Sequence, residues 1–353
     1  MQSNSDMALD MALRFEPAWW CPGPHLQTVW RWSFGERPLL PIRRERWETP
    51  DDDFLDLDFA DPAGLIEGEG GIGSAVPTVL SLHGLEGSSR AKYILGMLRE
   101  ANRLGWRGVA LNFRSCSGEI NRQRRFYHSG ETTDLDWVVR RLIDRFPGSP
   151  LFLIGFSLGG NVLLKWLGEQ GERAPEPVRA AVAVSVPFDL AVSARAVDRG
   201  VSRIYGQVFL KTLKKKASIK ARRYPGLVDP ARIGRITSFA EFDDQVTAPI
   251  HGFRDGVDYW TSISSKKFLD AIRRPVLLIN ARNDPFLPAE SLPVKMVEQS
   301  EWLTADFPPS GGHVGFVEGP FPWSVSYWSE KRAMAFLSFQ ISGRVAETAD
   351  FRR

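Results

Sequence analysis

The chain has 353 residues, of which 43% are hydrophobic and 25% are charged, and its net charge is +3. These values are typical of a globular protein with one large core, exclude an intrinsically disordered chain, and give too small a basic excess to indicate a nucleic-acid partner. Two cysteines, Cys21 and Cys116, are too few and too far apart for a disulfide framework.

The N-terminal stretch carries Asp6 and Asp10, and no basic region followed by an apolar run occurs there. This pattern is not typical of a secretory signal. No window approaches the ~18 to 20 apolar residues that span a bilayer. We therefore expect a cytoplasmic protein, and the sequence leaves its oligomeric state open.

Short apolar runs alternate with segments of helical periodicity along the middle of the chain. This alternation predicts a mainly parallel sheet with helices on both faces. A period-two pattern at 54–60 predicts an antiparallel strand at the start of the sheet. The further predicted strands are 76–82, 107–113, 151–156, 178–186, 276–281 and 302–307. The predicted helices are 91–104, 132–143, 158–167 and 326–341.

One segment, residues 189–266, interrupts the alternation. It is helical in tendency, rich in Arg, Lys and aromatic side chains, and contains no apolar run as long as a strand. An insertion of this kind between consecutive strands predicts a cap or lid above the carboxyl ends of the strands. We expect a single domain, residues 1–353, with this cap inside it.

A G-x-S-x-G pattern at 155–159 follows the predicted strand 151–156 and opens the next helix. Such a turn holds the serine in strained backbone, so the residues two positions away on either side must be small. We predict Ser157 as a nucleophile and expect the Leu158 amide, at the helix N-terminus, to favour negative charge. The alternative is a chance match in a loop, which the strand before and the helix after argue against.

A serine hydroxyl is a poor nucleophile at neutral pH and needs a positioned base. Of the five histidines, His251 and His313 follow Ser157 in the chain. His251 falls in the predicted cap, whereas His313 follows the last predicted strand in a Ser-Gly-Gly-His loop. We therefore predict His313 as the general base.

The acid that orients the histidine is expected in the loop after the predicted strand 276–281. Asp284 stands there, and Pro285 fixes the turn. Its carboxylate would accept the Nδ1 proton of the histidine and stabilise the imidazolium. The alternative is an aspartate that merely begins a turn. Other acids, less well placed, are Asp255, Asp258 and Asp306.

The loop after the predicted strand 76–82 reads HGLEGSS at 83–89. We expect the Leu85 amide, together with that of Leu158, to bind the oxygen of a tetrahedral intermediate. Gly84 lets the backbone approach, and His83 is expected to order the loop rather than act as a second base. This chemistry needs no metal ion or organic cofactor.

Two further features have both a functional and a structural interpretation. Cys116 could be a nucleophile, but it lies in no elbow and has no evident base, which favours a small buried residue. The segment 211–223 holds seven positive charges and no acid. It could make weak peripheral contact with a membrane through anionic lipid, or form a solvated helix face, which we favour.

Seven longer motifs are spread over most of the chain: PHLQT at 24–28, DDDFLDLD at 51–58, HGLEGSS at 83–89, NFRSCSGE at 112–119, YHSGET at 127–132, GFSLGGN at 155–161 and GGHVGF at 311–316. With these motifs the chain resembles the YheT-like branch of the α/β hydrolases. That group includes the mammalian alpha/beta-hydrolase-domain lipases and the yeast medium-chain ethyl ester synthases.

The resemblance implies an α/β-hydrolase fold with a mostly parallel eight-stranded sheet, flanking helices and a helical cap. It implies a serine esterase that cleaves short- to medium-chain acyl esters or monoacylglycerol-like lipids through a Ser-His-Asp triad and an acyl-enzyme. One alternative is an acyltransferase that makes esters from an alcohol with the same triad. Another is a ligand-binding relative that has lost turnover. The expected partner is a small acyl ester and not nucleic acid.

Overall fold

An eight-stranded sheet runs through the computed structural model, which describes residues 14–65 and 76–350. The stretch with Asp6 and Asp10, on which the prediction about a secretory signal depends, lies outside these residues. The strands are β1 (Arg43–Glu48), β2 (Phe54–Ala60), β3 (Thr78–Leu82), β4 (Arg107–Asn112), β5 (Leu151–Phe156), β6 (Val178–Val184), β7 (Val276–Ile279) and β8 (Leu303–Asp306).

The order of the strands across the sheet is β1-β2-β4-β3-β5-β6-β7-β8. Antiparallel pairing joins β1 to β2 and β2 to β4, and the remaining neighbours are parallel. The predicted α/β-hydrolase fold with a mostly parallel sheet is therefore confirmed. In this arrangement the carboxyl ends of β3, β5, β6 and β7 lie along one edge.

Helices cover both faces of the sheet, which is why the parallel strands are apolar on both sides. The helices outside the insertion are α1 (Gly23–Val29), which continues as a π-helical turn (Trp30–Phe34), α2 (Lys92–Arg103), α3 (Thr133–Arg145), α4 (Leu158–Gln170), α11 (Val294–Glu298) and, at the end of the fold, α12 (Trp328–Asp350). On β5, Leu153 packs in the cluster that contains α3 and α4. Its neighbour Phe152 packs in the cluster that contains α2 and α12.

The helical insertion, residues 189–266, connects β6 to β7. It contains α5 (Leu190–Val197), α6 (Ser202–Arg223), α7 (Pro230–Arg235), α8 (Phe239–Phe242), α9 (Ala248–His251) and α10 (Gly256–Ile263). Leu210 and Leu213 of α6 pack in the same core cluster as α3 and α4. That this insertion acts as a cap stays a prediction.

Several predicted bounds differ from those observed. The strand predicted at 178–186 ends at Val184, because Ser185 has a φ of 51°. The strand predicted at 276–281 ends at Ile279. The helix predicted from 326 begins at Trp328, because a hairpin of β9 (Val317–Phe321) and β10 (Ser324–Tyr327) precedes it. Neither this hairpin nor β1 was predicted.

Candidate active site

Ser157 lies at the turn between β5 and α4 with φ 51° and ψ −119°, a conformation that side-chain-bearing residues rarely adopt. The two flanking glycines make this turn possible. A Cβ at Gly155 would lie 2.5 Å from the carbonyl oxygen of Gly159, and one at Gly159 would lie 2.6 Å from that of His83. Since these obstacles are backbone atoms, no side chain fits at either position, and the serine hydroxyl projects from the end of the strand.

The structure brings Ser157, His313 and Asp284 together in one hydrogen-bonded chain. Nε2 of His313 lies 2.9 Å from Oγ of Ser157, and Nδ1 lies 2.8 Å from Oδ2 of Asp284. The Asp284 side chain is 0% exposed, and its Oδ1 accepts a hydrogen bond from the Phe286 amide at 2.8 Å. A carboxylate on Nδ1 favours the tautomer whose Nε2 can accept the hydroxyl proton.

The loop that carries His313 is held from three directions. The His313 amide donates to Oγ1 of Thr28 at 2.9 Å, which ties the loop to α1. The Val314 amide donates to Oγ of Ser185 at 2.9 Å, and the Gly312 amide donates to Oδ1 of Asn283 at 3.2 Å. Thr28 was not predicted as a site residue, and the PHLQT motif at 24–28 is the only sequence pattern that includes it.

The 83–89 loop lies against the nucleophile, since a Cβ at Gly84 would be 3.1 Å from that of Ser157. The amide of Gly84 donates to the Tyr93 hydroxyl, and that of Glu86 donates to the Tyr127 hydroxyl. Between them the Leu85 amide has no hydrogen-bond partner within the described ranges, and neither has the Leu158 amide. Both are therefore available to an anionic oxygen, and their role as an oxyanion hole stays a prediction.

His83 connects the ends of two strands. Its Nδ1 lies 2.7 Å from the Gly84 carbonyl oxygen, and the Phe113 amide donates to its Nε2 at 3.1 Å. Burial lowers the pKa of His83 to about 4, so the ring is neutral at physiological pH. These contacts are those of a residue that orders the loop and not of a second base.

Cys116 is buried, and burial raises the pKa of its thiol to about 11. A protonated thiol is a weak nucleophile. This chemistry agrees with the interpretation of Cys116 as a small buried residue.

A cavity of about 580 Å³ opens in front of Ser157 and His313. Apolar side chains from the helical insertion and the core form most of its wall, among them Phe126, Leu190, Phe209, Leu213, Phe242 and Phe286. No cluster of His, Cys, Asp and Glu side chains suited to a metal ion occurs within residues 14–65 and 76–350. The volume is in the range of small-molecule sites.

The basic segment 211–223 is only partly solvated, so the favoured prediction of a solvated helix face is wrong for two of its lysines. Lys220 is fully buried and donates to the Asn121 carbonyl oxygen at 2.7 Å. Lys216 is mostly buried and pairs with Glu86. None of the described helices is both long enough and apolar enough to cross a bilayer.

Comparison with known proteins places these features in a family. The chain matches the alpha/beta hydrolase fold family over residues 77–320. It is 36% identical to YheT of Escherichia coli (strain K12), a candidate esterase by name, over 91% of this chain and 92% of that protein. It is 31% identical to "Phospholipase ABHD3" of Mus musculus, over 89% of this chain and 75% of that protein.

A solved structure with the same fold is that of the esterase Pf2001 of Pyrococcus furiosus, with a TM-score of 0.55 and 18% sequence identity. The superposition covers 86% of this chain and 92% of that chain. The chain therefore belongs to the α/β-hydrolase fold family, in the YheT-like branch whose named members include esterases and lipases.

Proposed function

We propose that the protein hydrolyses carboxylic esters, with Ser157 as nucleophile, His313 as general base and Asp284 as the orienting carboxylate. One observation carries this proposal: the unbroken hydrogen-bonded chain from Asp284 through His313 to Ser157, with distances of 2.8 and 2.9 Å. The Ser157 end of this hydrogen-bonded chain lies on the wall of an apolar cavity. The names of the relatives, esterase and phospholipase, support an ester as the substrate.

In the proposed mechanism, His313 takes the Oγ proton of Ser157 as the oxygen attacks the ester carbonyl carbon. The carbonyl oxygen becomes an oxyanion and accepts hydrogen bonds from the Leu85 and Leu158 amides. The carbon–oxygen bond to the alcohol breaks, and the alcohol leaves with the proton from His313. Water then loses a proton to His313 as it attacks the acyl carbon. The bond from that carbon to Oγ of Ser157 breaks, the acid is released, and His313 returns the proton to Oγ.

The cavity supports an acyl chain of short to medium length, or a monoacylglycerol-like lipid, as the substrate. Its wall is mostly apolar, and its volume of about 580 Å³ is that of a site for a single small molecule. Burial of each further methylene would contribute about 0.8 kcal/mol of binding. We therefore expect kcat/KM to rise with acyl-chain length until the cavity is full.

Replacement of Ser157 with alanine tests the proposal. The variant should lose labelling by a fluorophosphonate probe, and its turnover of p-nitrophenyl esters should fall by about 10³-fold or more. Ser117→Ala is the matched control, because Ser117 lies outside the cavity wall. Labelling of the Ser157→Ala variant at the wild-type rate would refute the assignment.

Product analysis in the presence of ethanol separates hydrolysis from acyl transfer. Both reactions share the acyl-enzyme and differ in whether water or alcohol attacks it. We expect the free acid as the main product at low ethanol concentration. An ethyl ester as the main product there would make the protein an acyltransferase.

A further inference from the structure

Lys216 reaches from the helical insertion to the 83–89 loop. It lies on α6, and its Nζ is 2.7 Å from Oε1 of Glu86 and 3.3 Å from Sγ of Cys116. The side chains of Lys216 and Glu86 are 16% and 6% exposed. The ion pair is therefore largely withdrawn from water and links two parts of the chain that are 130 residues apart.

Glu86 directly follows Leu85, whose amide is the proposed oxyanion donor. It has a φ of 54°, so the backbone there is strained and needs support from its surroundings. The Glu86 amide donates to the Tyr127 hydroxyl at 2.8 Å, and that hydroxyl donates to Oε1 of Glu86 at 2.7 Å. The same oxygen accepts from Lys216. Three hydrogen bonds thus fix the residue that follows the proposed donor.

The charge on Lys216 is maintained although the side chain is mostly buried. Burial disfavours the ammonium form, but the Glu86 carboxylate that faces it raises the pKa of Lys216 above its ordinary value. Removal of one partner from such a pair leaves the other charge buried and unpaired. The 83–89 loop would then relax and displace the Leu85 amide next to Glu86.

We propose that Lys216 is a positioning residue through which the helical insertion holds the Leu85 amide in its reactive geometry. The inference rests on the proposed function, in which that amide binds the oxyanion. It makes the insertion part of the machinery that stabilises the transition state, besides forming the wall of the cavity. Lys216 itself touches neither the nucleophile nor the histidine in the contacts observed among the described residues.

The test compares Lys216→Met and Lys216→Arg with the wild-type protein. Lys215→Met is the matched control, because Lys215 is exposed on the same helix. The measurements are kcat and KM for a p-nitrophenyl ester, and the inhibition constant of an aryl boronic acid. The boronate adduct of Ser157 places a negatively charged oxygen where the oxyanion would lie.

Lys216→Met should lower kcat by about tenfold or more, because a small displacement of an oxyanion donor is costly. KM should stay within about threefold, since ground-state binding does not use the donor. The inhibition constant of the boronic acid should rise by the same factor by which kcat/KM falls. Lys216→Arg should restore most of the activity, and Lys215→Met should match the wild-type protein.

The double variant Glu86→Gln, Lys216→Met separates positioning from folding. It removes both charges, so its thermal unfolding temperature should be close to that of the wild-type protein, while kcat remains low. Turnover and boronate affinity within about twofold of wild type in Lys216→Met, or in the double variant if the single variant does not fold, would overturn the inference. Ser157→Ala tests the proposed function separately, because its result does not depend on Lys216.

Discussion

Asp284 is fully buried, and each of its two carboxylate oxygens has an assigned partner. One oxygen faces Nδ1 of His313, and the other accepts from the Phe286 amide. A buried carboxylate is costly to desolvate, and these two hydrogen bonds offset part of that cost while the carboxylate orients the imidazole.

Asp284→Asn should lower kcat by about 10³- to 10⁴-fold, with little change in the thermal unfolding temperature. The asparagine has the same shape and can still accept from Phe286, but its amide group can face His313 and favour the wrong tautomer. Steady-state kinetics with a p-nitrophenyl ester, together with a thermal melt, checks this. Asp270→Asn, exposed in the 3-10 helix Ser265–Ala271, is the control. An active Asp284→Asn variant would mean that another acid orients the histidine.

A second residue, His251, should govern part of the response to acid. Its ring packs 4.4 Å from that of His128 and 5.4 Å from that of Phe126. Its Nε2 has no hydrogen-bond partner in the described part of the chain. Burial and the neighbouring His128 lower the pKa of His251 to about 2. The folded protein therefore keeps this ring neutral, whereas the unfolded chain protonates it below pH ~6.5.

The resulting contribution to stability is complete above pH ~6.5 and is lost progressively as the pH falls below that value. His251→Phe retains the ring contacts and removes the ionisation. The gain in the free energy of unfolding that the substitution causes, variant minus wild type, should be about 2 kcal/mol larger at pH 5 than at pH 7.5. Urea denaturation at the two pH values measures the difference. An equal effect at both pH values would contradict the assignment of a neutral His251 ring in the folded protein.

Sequence reasoning found the residues that a motif or the chain order specifies. Ser157 has its elbow, and His313 and Asp284 follow it at the ends of predicted strands. Thr28 and Lys216 could not be found in this way. Thr28 contacts a loop 285 residues away, and no spacing rule joins two such positions.

Among the elements, the turn between β5 and α4 depends most strongly on residue size. Gly155→Ala should destabilise the protein by about 2–3 kcal/mol and lower turnover, because the new Cβ would collide with backbone atoms of residues 159 and 160. Gly234→Ala is the control: this glycine lies in α7 and has nothing within 4 Å of the added carbon. That variant should gain about 0.5–1 kcal/mol of helix propensity. Urea denaturation measures the free energy of unfolding of both variants. Equal changes in the two variants would contradict the predicted collision at Gly155.

The strands and helices predicted best are those with a clear apolar period. β5 has the predicted bounds because all six of its residues are apolar or glycine and all are buried. β1 was missed because only Trp47 of its six residues is buried, and charged side chains fill most of the rest. The β9–β10 hairpin was missed because its residues are mostly partly exposed or exposed and give no strand pattern. Edge strands of this kind depend on pairing with a neighbour and not on a pattern of their own.

At the scale of the whole molecule, the cavity lies between the helical insertion and the loops at the carboxyl ends of the strands. Ala194 of α5 lies on its wall. Ala194→Trp should fill part of the cavity and lower kcat/KM for decanoate esters by about tenfold or more, with little effect on acetate esters. Arg195→Trp, exposed on the same helix, is the control. A uniform loss across all acyl-chain lengths would place the acyl group elsewhere.

The attachment of His313 to Thr28 has a consequence for protein synthesis. The elbow at residue 157 and the segment around residue 28 leave the ribosome well before the loop at residue 313 is translated. Until that loop has been made, Ser157 has no His313 to accept its proton, and Thr28 of α1 lacks a partner that lies 285 residues later in the chain. Reactivity would begin only when the loop at residue 313 docks.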